Sequence, residues 1–330
     1  MALSALRSFR YDEFSIGWIC KSDSTPLLKN IFPNSFLFTI ERKKKSRVLI
    51  DLKYYLLTCY QIIVFLKKYD CKKAIIFDYK ELPVALFAIL GRIAGVPEIY
   101  SCCDKSKRNI FLTETLPMFR YRDVHEVERY KEMFALVLEP TKEIKNIILS
   151  LPSSENVIRK HNGKMPGNSV VALAPGSDRS FKRWHIEKWI ELALRLTKQG
   201  KHILLLGGSN DTIICDSIVD RLPDGSASNF AGITDLIEST ALMKNVDLLV
   251  TNDSALMHLA DFIGVKVIGL FGITRPQRCG PYHQMNNVVI AASSESGTYR
   301  YGRFKKWDDA CINTISVEMV WDKIQEVTCH

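Results

Sequence analysis

The second half of the chain repeats one unit: a short apolar run, a turn of Gly or polar residues, and a segment with helical apolar spacing. The apolar runs are Val170–Ala174, Ile203–Leu206, Asn229–Ala231, Asp247–Thr251 and Val265–Phe271. The helical segments are His185–Lys198, one beginning at Asp211, Asp235–Met243 and Ser254–Ile263. This alternation predicts a parallel sheet covered by helices on both faces. Ligands of such sheets bind beyond the carboxyl ends of the strands, so functional residues are expected directly after each strand.

The first half shows the same alternation in a less regular form. The predicted strands are Phe14–Cys20, Phe36–Ile40 and Ala74–Phe77, and the predicted helices are Arg47–Lys68, Leu82–Ala94 and Val124–Leu136. Between the halves, Pro152–Asn168 is rich in Pro, Gly, Ser and Asn without an apolar period, which is typical of a linker. A chain of 330 residues accommodates about two domains. We therefore predict an α/β fold with domains 1–155 and 156–330.

A net charge of +9 favours an acidic partner: a nucleotide diphosphate, an anionic lipid, a phosphorylated sugar or a nucleic acid. It does not choose among them, and a solvated basic surface explains it equally well. The basic run Arg42, Lys43, Lys44 and Lys45 follows a predicted strand. It can bind phosphate or carboxylate groups or anionic lipid headgroups, or it can be a solvated loop. Nucleic acid is not favoured, because no aromatic residues are interleaved with the run.

Cysteine content and hydropathy indicate the cellular compartment of the protein. The nine cysteines form no CxxC pair, and an odd count fits a reducing cytoplasm better than a disulfide framework or a zinc site. The longest apolar stretch, Tyr54–Leu66, is shorter than the ~20 residues of a membrane span. Met1–Phe9 does not have the pattern of a secretory signal. These features predict a cytoplasmic protein.

Two strand ends carry the residues of an anion site. After Asp247–Thr251, Asp253 or Ser254 can cap a helix whose first amides, near the small Ala255, are open to a phosphate. His258 follows Ser254 by one turn on the same face. The alternative is an ordinary capped helix with a buried histidine.

The second of these strand ends follows Val170–Ala174. Here Gly176 allows close backbone approach, Ser177 supplies a hydroxyl, and Lys182 can neutralise a departing diphosphate. The alternative is a solvated Lys-Arg pair beside a core tryptophan. No acidic metal-binding cluster is visible in the sequence.

Three further strand ends are weaker signals by themselves. Gly207-Gly208 precedes Asp211 and Thr212, which can border a ribose, and Thr234 follows a strand where backbone groups can meet a base. The loop Gly272–Pro276 follows the last predicted strand. Each of these can be a plain turn or cap. Five such segments on one edge of one sheet are more informative than any of them alone.

Taken in order, these segments resemble glycosyltransferase family 9, which contains the ADP-heptose:lipopolysaccharide heptosyltransferases. The resemblance rests on APGSDRSFKRWHIEKW, LLLGGSND, FAGITDL, VTNDSALMHLA and GLFGITRPQRCGP, and on Cys311 with Ile315–Val327 near the C-terminus. It implies a GT-B fold, in which two Rossmann-like domains face a cleft. It also implies an inverting, metal-independent transfer from a nucleotide sugar, without a cofactor, at or near the inner membrane.

Carried over by position, the resemblance assigns a donor-binding role to ten residues. Ser254, Ala255 and His258 would contact the diphosphate, Asp253 would shape the turn, Gly176, Ser177 and Lys182 would face the phosphates, Thr234 would lie at the adenine, and Asp211 and Thr212 would lie near the ribose. Two positions depart from the family pattern: Ala255 stands where glycine is usual, and Ile233 where lysine is common.

The first half departs further from the family. Family members begin with a strand and a Gly-Asp loop that supplies the proposed general base, and this sequence has no counterpart to either. Without that strand, Phe14–Cys20 and Ala74–Phe77 lack a shared neighbour. Three explanations are open: the true start lies upstream, the gene is decaying, or another carboxylate acts as base. The candidates are Asp12, Glu13, Asp23 and Asp78.

The sequence is compatible with three functions. The first is transfer of a heptose-like sugar from ADP-heptose to a lipopolysaccharide core. The second is nucleotide-sugar binding without transfer. The third is a GT-B-like sugar-nucleotide epimerase, which needs paired acid and base carboxylates.

Overall fold

Every pair of neighbouring strands in the computed structural model is parallel, which confirms the predicted α/β class. The structure describes residues 1–10, 15–40, 48–77, 81–103, 110–116, 124–141, 147, 149–161, 163, 169–291 and 311–329. The chain divides into two compact units, Met1–Leu149 and Ser150–His330. The division therefore falls before the predicted boundary at residue 155.

The second unit contains a six-stranded sheet. Its strands are β6 (Val170–Ala174), β7 (His202–Leu205), β8 (Ala227–Asn229), β9 (Leu248–Asn252), β10 (Val267–Phe271) and β11 (Val288–Ile290), in the order β11-β10-β9-β6-β7-β8. Its helices are α6 (Ser154–Lys160), α7 (Ile186–Lys198), α8 (Thr212–Val219), α9 (Leu236–Met243), α10 (Ala255–Ile263), α11 (Pro276–Cys279) and α12 (Val317–Thr328). The strand order reverses beside β6, which is where ligands bind in open sheets of this kind.

Helix α7 shows how the sequence sets this layer. The His185 side chain accepts a hydrogen bond from the Glu187 amide and caps the helix start. The apolar face of α7 then buries residues at helical spacing, including Trp189 and Leu196, against the sheet. Trp184 meets Trp189 edge-on at 5.2 Å between ring centroids. The Trp184 indole N–H donates to the Ile315 carbonyl and ties the C-terminal segment to this core.

The first unit contains two separate sheets within the described residues. One pairs β1 (Gly17–Lys21) with β2 (Phe36–Ile40), and the other has the order β3 (Lys73–Ile76), β4 (Glu98–Cys102), β5 (Glu114–Leu116). The helices are α1 (Ala2–Leu6), α2 (Thr25–Ile31), α3 (Val48–Lys68), α4 (Glu81–Ala94) and α5 (Glu126–Ala135). The predicted strands Phe14–Cys20 and Ala74–Phe77 thus belong to different sheets. In the part of the chain that the structure describes, no helix combines the length and apolarity needed to cross a bilayer.

Several predicted elements need correction. The predicted linker contains a helix, α6, which begins after a capping bond from the Asn156 amide to the Ser153 hydroxyl. The strand predicted at Asn229–Ala231 lies two residues earlier, at β8, because the Asn229 side chain accepts the Ala231 amide and turns the chain. The strands β4, β5 and β11 and the helices α2, α11 and α12 were not predicted as such. Four of these elements, β5, β11, α2 and α11, are short or at a sheet edge, where periodicity gives little signal.

Candidate functional site

The loops after β6, β7, β8, β9 and β10 meet at one edge of the sheet in the second unit. These five strands are adjacent and parallel, so their carboxyl ends point to the same side. All five segments singled out in the sequence follow these strands.

At the centre of this edge, the loops after β6 and β9 are joined by an ion pair. The Lys182 ammonium lies 2.6 Å from the Asp253 carboxylate. The side chain of Asp253 is 7% exposed and that of Lys182 is 24% exposed. The Ser177 hydroxyl donates to the Asp253 carbonyl at 3.2 Å. The structure therefore brings together three residues that the sequence placed on two different strand ends.

Asn252, the last residue of β9, holds the same two loops together. Its side-chain amide donates to the Pro175 carbonyl at 2.7 Å, and its side-chain oxygen accepts the Trp184 amide at 3.2 Å. Asn252 is fully buried, so both of its polar atoms are satisfied inside the protein. The sequence indicated that β9 ends at polar residues, but not that Asn252 bonds to the loop after β6 on both sides of Lys182.

The start of α10 differs from the predicted cap. Ser254 occupies the N-cap position, but no side-chain oxygen accepts an amide of the first turn. The Ser254 hydroxyl instead lies 3.0 Å from the Thr251 hydroxyl. Ala255 is exposed, and His258, one turn later, is half-buried and not fully buried as in the plain-helix alternative. A helix start without a side-chain cap presents amide donors and the positive end of the helix dipole.

The loops after β6 and β7 meet at Gly176 and Asp211. A Cβ atom on Gly176 would overlap the Asp211 carboxylate, so only glycine fits against that side chain without a shift. The Asp211 carboxylate accepts the Gly208 amide at 3.0 Å and lies 3.7 Å from the Arg183 guanidinium. The Arg183 side chain also donates twice to the Ser177 carbonyl, at 3.0 and 2.7 Å. Arg183 and Asp211 thus fix the turn that carries Gly176 and Ser177.

The loops after β7 and β8 meet at Gly232. The Gly232 amide donates to the Gly207 carbonyl at 3.0 Å, and Gly232 has a φ of +78°, which favours glycine. A Cβ atom there would lie 2.5 Å from the Thr212 hydroxyl. That hydroxyl donates to the Ser209 carbonyl at 3.1 Å. Thr212 is therefore placed between two of the predicted loops, with its hydroxyl proton directed to the protein.

Thr234 lies after β8 and is held by its own loop. Its hydroxyl donates to the Phe230 carbonyl at 3.0 Å and lies 2.9 Å from the Ser239 hydroxyl. Asp235 then caps α9 in a reciprocal arrangement with Glu238. The Thr234 hydroxyl therefore bonds within its own loop, in which Gly232, Ile233 and Asp235 are exposed.

The loop after β10 reaches back to the central ion pair. The Cys279 thiol, at the end of α11, lies 3.8 Å from the Asp253 carboxylate and 3.3 Å from the Arg275 carbonyl. The sequence pattern indicated this loop but not Cys279. It indicated Arg183 only as part of a basic pair beside a tryptophan, because Ser177 and Asp211, the partners of Arg183, come close to it only in the folded sheet.

Some predicted residues lie outside the described part of the chain. These are the basic run Arg42, Lys43, Lys44 and Lys45 and the candidate bases Asp12, Glu13 and Asp78. Asp23 lies in a short 3-10 helix, Ser22–Ser24. Within the described residues, no group of three or more His, Cys, Asp or Glu side chains is arranged to hold a metal ion.

Comparisons with known proteins place this geometry in context. Residues 87–307 match the family described as Glycosyltransferase family 9 (heptosyltransferase). The lipooligosaccharide heptosyltransferase 2 of Haemophilus influenzae is 30% identical over 162 residues, which are 48% of this chain and 47% of that protein. The chain thus spans about half the length of that curated relative.

Solved structures show the same fold. The structure of Escherichia coli ADP-heptose lps heptosyltransferase II aligns with a TM-score of 0.73 at 17% identity, over 99% of this chain and 93% of that one. The structure of E. coli heptosyltransferase WaaC with ADP aligns with a TM-score of 0.59 at 14% identity, over 94% and 100%. The family match covers well over half of the residues and confirms the resemblance, and the chain belongs to glycosyltransferase family 9.

Proposed function

We propose that this protein transfers a heptose-like sugar from an ADP-heptose-like donor to a lipopolysaccharide core acceptor. The transfer would be inverting and would use no metal ion. The observation that carries this proposal is the junction of Lys182, Ser177 and the start of α10 at one edge of the sheet in the second unit. Membership of the family supports the reaction class. The donor and acceptor follow from relatives named as heptosyltransferases, one of them solved with ADP.

The donor diphosphate would bind where Lys182 and the first amides of α10 converge. Asp253 holds the Lys182 ammonium beside that helix start, so the positive charge is already positioned before a ligand arrives. When the sugar–phosphate bond breaks, negative charge develops on the departing diphosphate. A positioned ammonium and a helix start stabilise that charge without reorganising. His258, one turn into α10, would add a hydrogen bond to the same phosphate.

The acceptor and the base belong to the first unit in this proposal. An inverting transfer needs a carboxylate or another base to take the acceptor proton. Asp12, Glu13, Asp23 and Asp78 remain the candidates, and the basic run at Arg42–Lys45 would meet acceptor phosphates. We place the reaction in the cytoplasm, at the inner face of the membrane that holds the acceptor.

Titration calorimetry with ADP tests the donor site. Lys182→Ala and His258→Ala are each expected to weaken ADP binding by about tenfold or more, the usual loss for a charge-assisted hydrogen bond. Lys201→Ala is the matched control, because Lys201 precedes β7 at the opposite edge of the sheet and bonds to Ser169. Unchanged ADP affinity in both site variants would sink the assignment.

A transfer assay separates the competing functions. Product from an ADP-heptose donor and a lipopolysaccharide core acceptor supports the transferase. ADP binding with no product under the same conditions supports a nucleotide-sugar-binding protein without transfer. Isomerisation of the donor in the absence of an acceptor would identify an epimerase instead.

A further inference from the structure

Helices α3 and α4 of the first unit pack against each other and expose apolar side chains on their outer surfaces. Their inner faces are apolar and buried: Ile62 of α3 and Val84 and Ala88 of α4 are 2% exposed or less. The outer faces of surface helices normally carry polar residues. Here most of the exposed side chains are apolar, and Gln61, Lys67 and Lys68 of α3 are the polar exceptions among the described residues of the two helices.

On α3 the exposed apolar residues follow the helix repeat. Leu56, Tyr60 and Val64 are spaced by four and are 64%, 64% and 44% exposed. Leu57, at 53% exposure, lies beside them on the same face. Residues four positions apart lie on the same face of a helix, about one turn from each other, so these side chains form a stripe along the outside of α3.

On α4 the pattern is stricter. Every exposed side chain between Leu82 and Ala94 is Leu or Ile: Leu82, Leu86 and Ile93, at 69%, 46% and 56%. Their spacing places all three on one line of the helix surface. We call the six residues Leu56, Tyr60, Val64, Leu82, Leu86 and Ile93 the α3–α4 apolar face. Exposed apolar surface on two helices that pack together is typical of an interaction site.

Charge identifies the kind of partner. Residues 1–149 contain 25 Lys and Arg against 17 Asp and Glu, a net charge of +8, whereas residues 150–330 contain 20 against 19, a net charge of +1. The exposed Lys67 and Lys68 end the α3 stripe, and Lys72 and Lys73 follow them. In the sequence, the run Arg42–Lys45 precedes the same helix. Apolar residues flanked by lysine and arginine are the pattern of a helix that lies in the interface of an anionic bilayer.

We propose that the α3–α4 apolar face docks onto an anionic lipid surface, with the lysines at the end of α3 on the headgroups. The reason for such docking, a lipid-linked acceptor, rests on the proposed function. A second copy of the chain fits this face less well, because it would bring a unit of charge +8 against another of the same charge. Neither helix could cross the bilayer, so the contact is one of insertion to the depth of the side chains.

Flotation of the full chain with lipid vesicles tests this proposal without any donor or acceptor. We expect binding to vesicles of phosphatidylcholine with phosphatidylglycerol, and much weaker binding to phosphatidylcholine alone. The double variant Leu56→Gln, Leu86→Gln should lose about tenfold or more in binding, since two apolar side chains no longer enter the interface. Ile213→Gln is the matched control: Ile213 is 82% exposed but lies on α8 of the second unit, and its variant should bind as the original chain does.

A second pair of variants tests the electrostatic part. Lys67→Gln and Lys68→Gln should each weaken binding to the phosphatidylglycerol vesicles by about fivefold and leave binding to phosphatidylcholine unchanged. All of these residues are exposed, so thermal unfolding should be unaltered and ADP affinity should be retained. ADP affinity therefore reports separately on the proposed function.

Three results would overturn the proposal. One is no binding of the original chain to anionic vesicles. Another is equal binding by the Leu56→Gln, Leu86→Gln variant and the Ile213→Gln control. The third is a dimer in sedimentation experiments that this double variant converts to a monomer, which would make the face a contact between copies.

Discussion

Gly176 and Asp211 show how one residue limits another at the donor edge. The two lie on different strand ends, yet the Asp211 carboxylate occupies the space of a side chain at position 176. The same carboxylate accepts the Gly208 amide and lies near the Arg183 guanidinium. Besides the contact proposed near the ribose, Asp211 therefore has a structural role, because it shapes the turn that would approach the phosphates.

We predict that Gly176→Ala lowers the free energy of unfolding by about 1–3 kcal/mol, because the new methyl group overlaps the Asp211 carboxylate. ADP affinity should fall with it, since the turn must shift. The double variant Gly176→Ala, Asp211→Ala should recover part of both losses. The double-variant cycle is measured by urea unfolding and by calorimetry with ADP.

Gly208→Ala provides the matched control for that cycle. A Cβ at Gly208 would meet the Asp211 carboxylate at 3.8 Å, an ordinary contact, and its φ of −81° suits any residue. This variant should keep the stability and ADP affinity of the original chain. A Gly176→Ala protein that behaves like Gly208→Ala would contradict the overlap.

The residue types of the donor edge were predictable from the sequence, but their pairings were not. Lys182 and Asp253 were both named, yet nothing local indicates an ion pair between residues 71 positions apart. The expected cap of α10 was wrong for a related reason. The Ser254 hydroxyl has an alternative partner, Thr251, at the end of the preceding strand. Short polar side chains choose between such local bonds only in the folded geometry.

At the scale of elements, one carboxylate of α9 bonds to two residues at the end of α6. Glu238, with its side chain 12% exposed, bonds to Lys160 at 2.5 Å and lies 3.3 Å from the His161 ring. It also accepts the Asp235 amide at 3.1 Å. Burial works against ionisation of Glu238, but these partners outweigh it and keep the pKa of this carboxyl below its usual value. Helix α6 is thereby fixed beside the loop that carries Thr234.

We predict that Glu238→Gln lowers the free energy of unfolding by about 1.5–3 kcal/mol at neutral pH, because it removes charged hydrogen bonds. A carboxyl group whose pKa is lowered in the folded protein contributes its full stabilisation of the fold above its usual pKa of about 4.3. That contribution is lost as the pH falls through the pKa that the group has in the folded protein. The difference between the two proteins should therefore shrink on acidification. Urea unfolding followed by tryptophan fluorescence at neutral pH and below about pH 4 measures this.

Glu187→Gln is the control for the Glu238 experiment. Glu187 and its partner Arg221 are 3.7 Å apart and more than half exposed, so their pair contributes little. The Glu187→Gln protein should unfold within about 0.5 kcal/mol of the original chain. A pH-independent gap between the Glu238→Gln protein and the original chain would show that the carboxylate does not act through its charge.

The elements of the second unit were largely predictable, and the misses have physical reasons. Buried parallel strands such as β6 and β9 form unbroken apolar runs that stand out in the sequence. The edge strand β11 has only three residues, too few for a pattern. Helix α6 buries only Val157, so its sequence carries no apolar period, and its helical form depends on the Ser153 cap and the contact with Glu238. The sequence therefore predicts the core elements better than those held by single contacts.

At the scale of the whole molecule, the two units differ in the size of the sheets that their described residues form. The second unit has one six-stranded sheet and a core that joins α7, α12 and strands from β6 to β11. The described strands of the first unit form sheets of two and three. Small sheets depend more on packing against helices for their stability. All ten residues proposed to bind the donor lie in the second unit.

We therefore predict that a fragment of residues 150–330 folds alone and binds ADP with an affinity close to that of the full chain. The core cluster around its sheet consists of residues of this unit, and the contacts among Lys182, Ser177 and Asp253 are internal to it. A cooperative urea transition and calorimetry with ADP check the two parts of this prediction. The Lys182→Ala fragment should lose affinity as the full-length variant does. A folded fragment that does not bind ADP, beside a full chain that does, would show that the first unit contributes directly to the donor site.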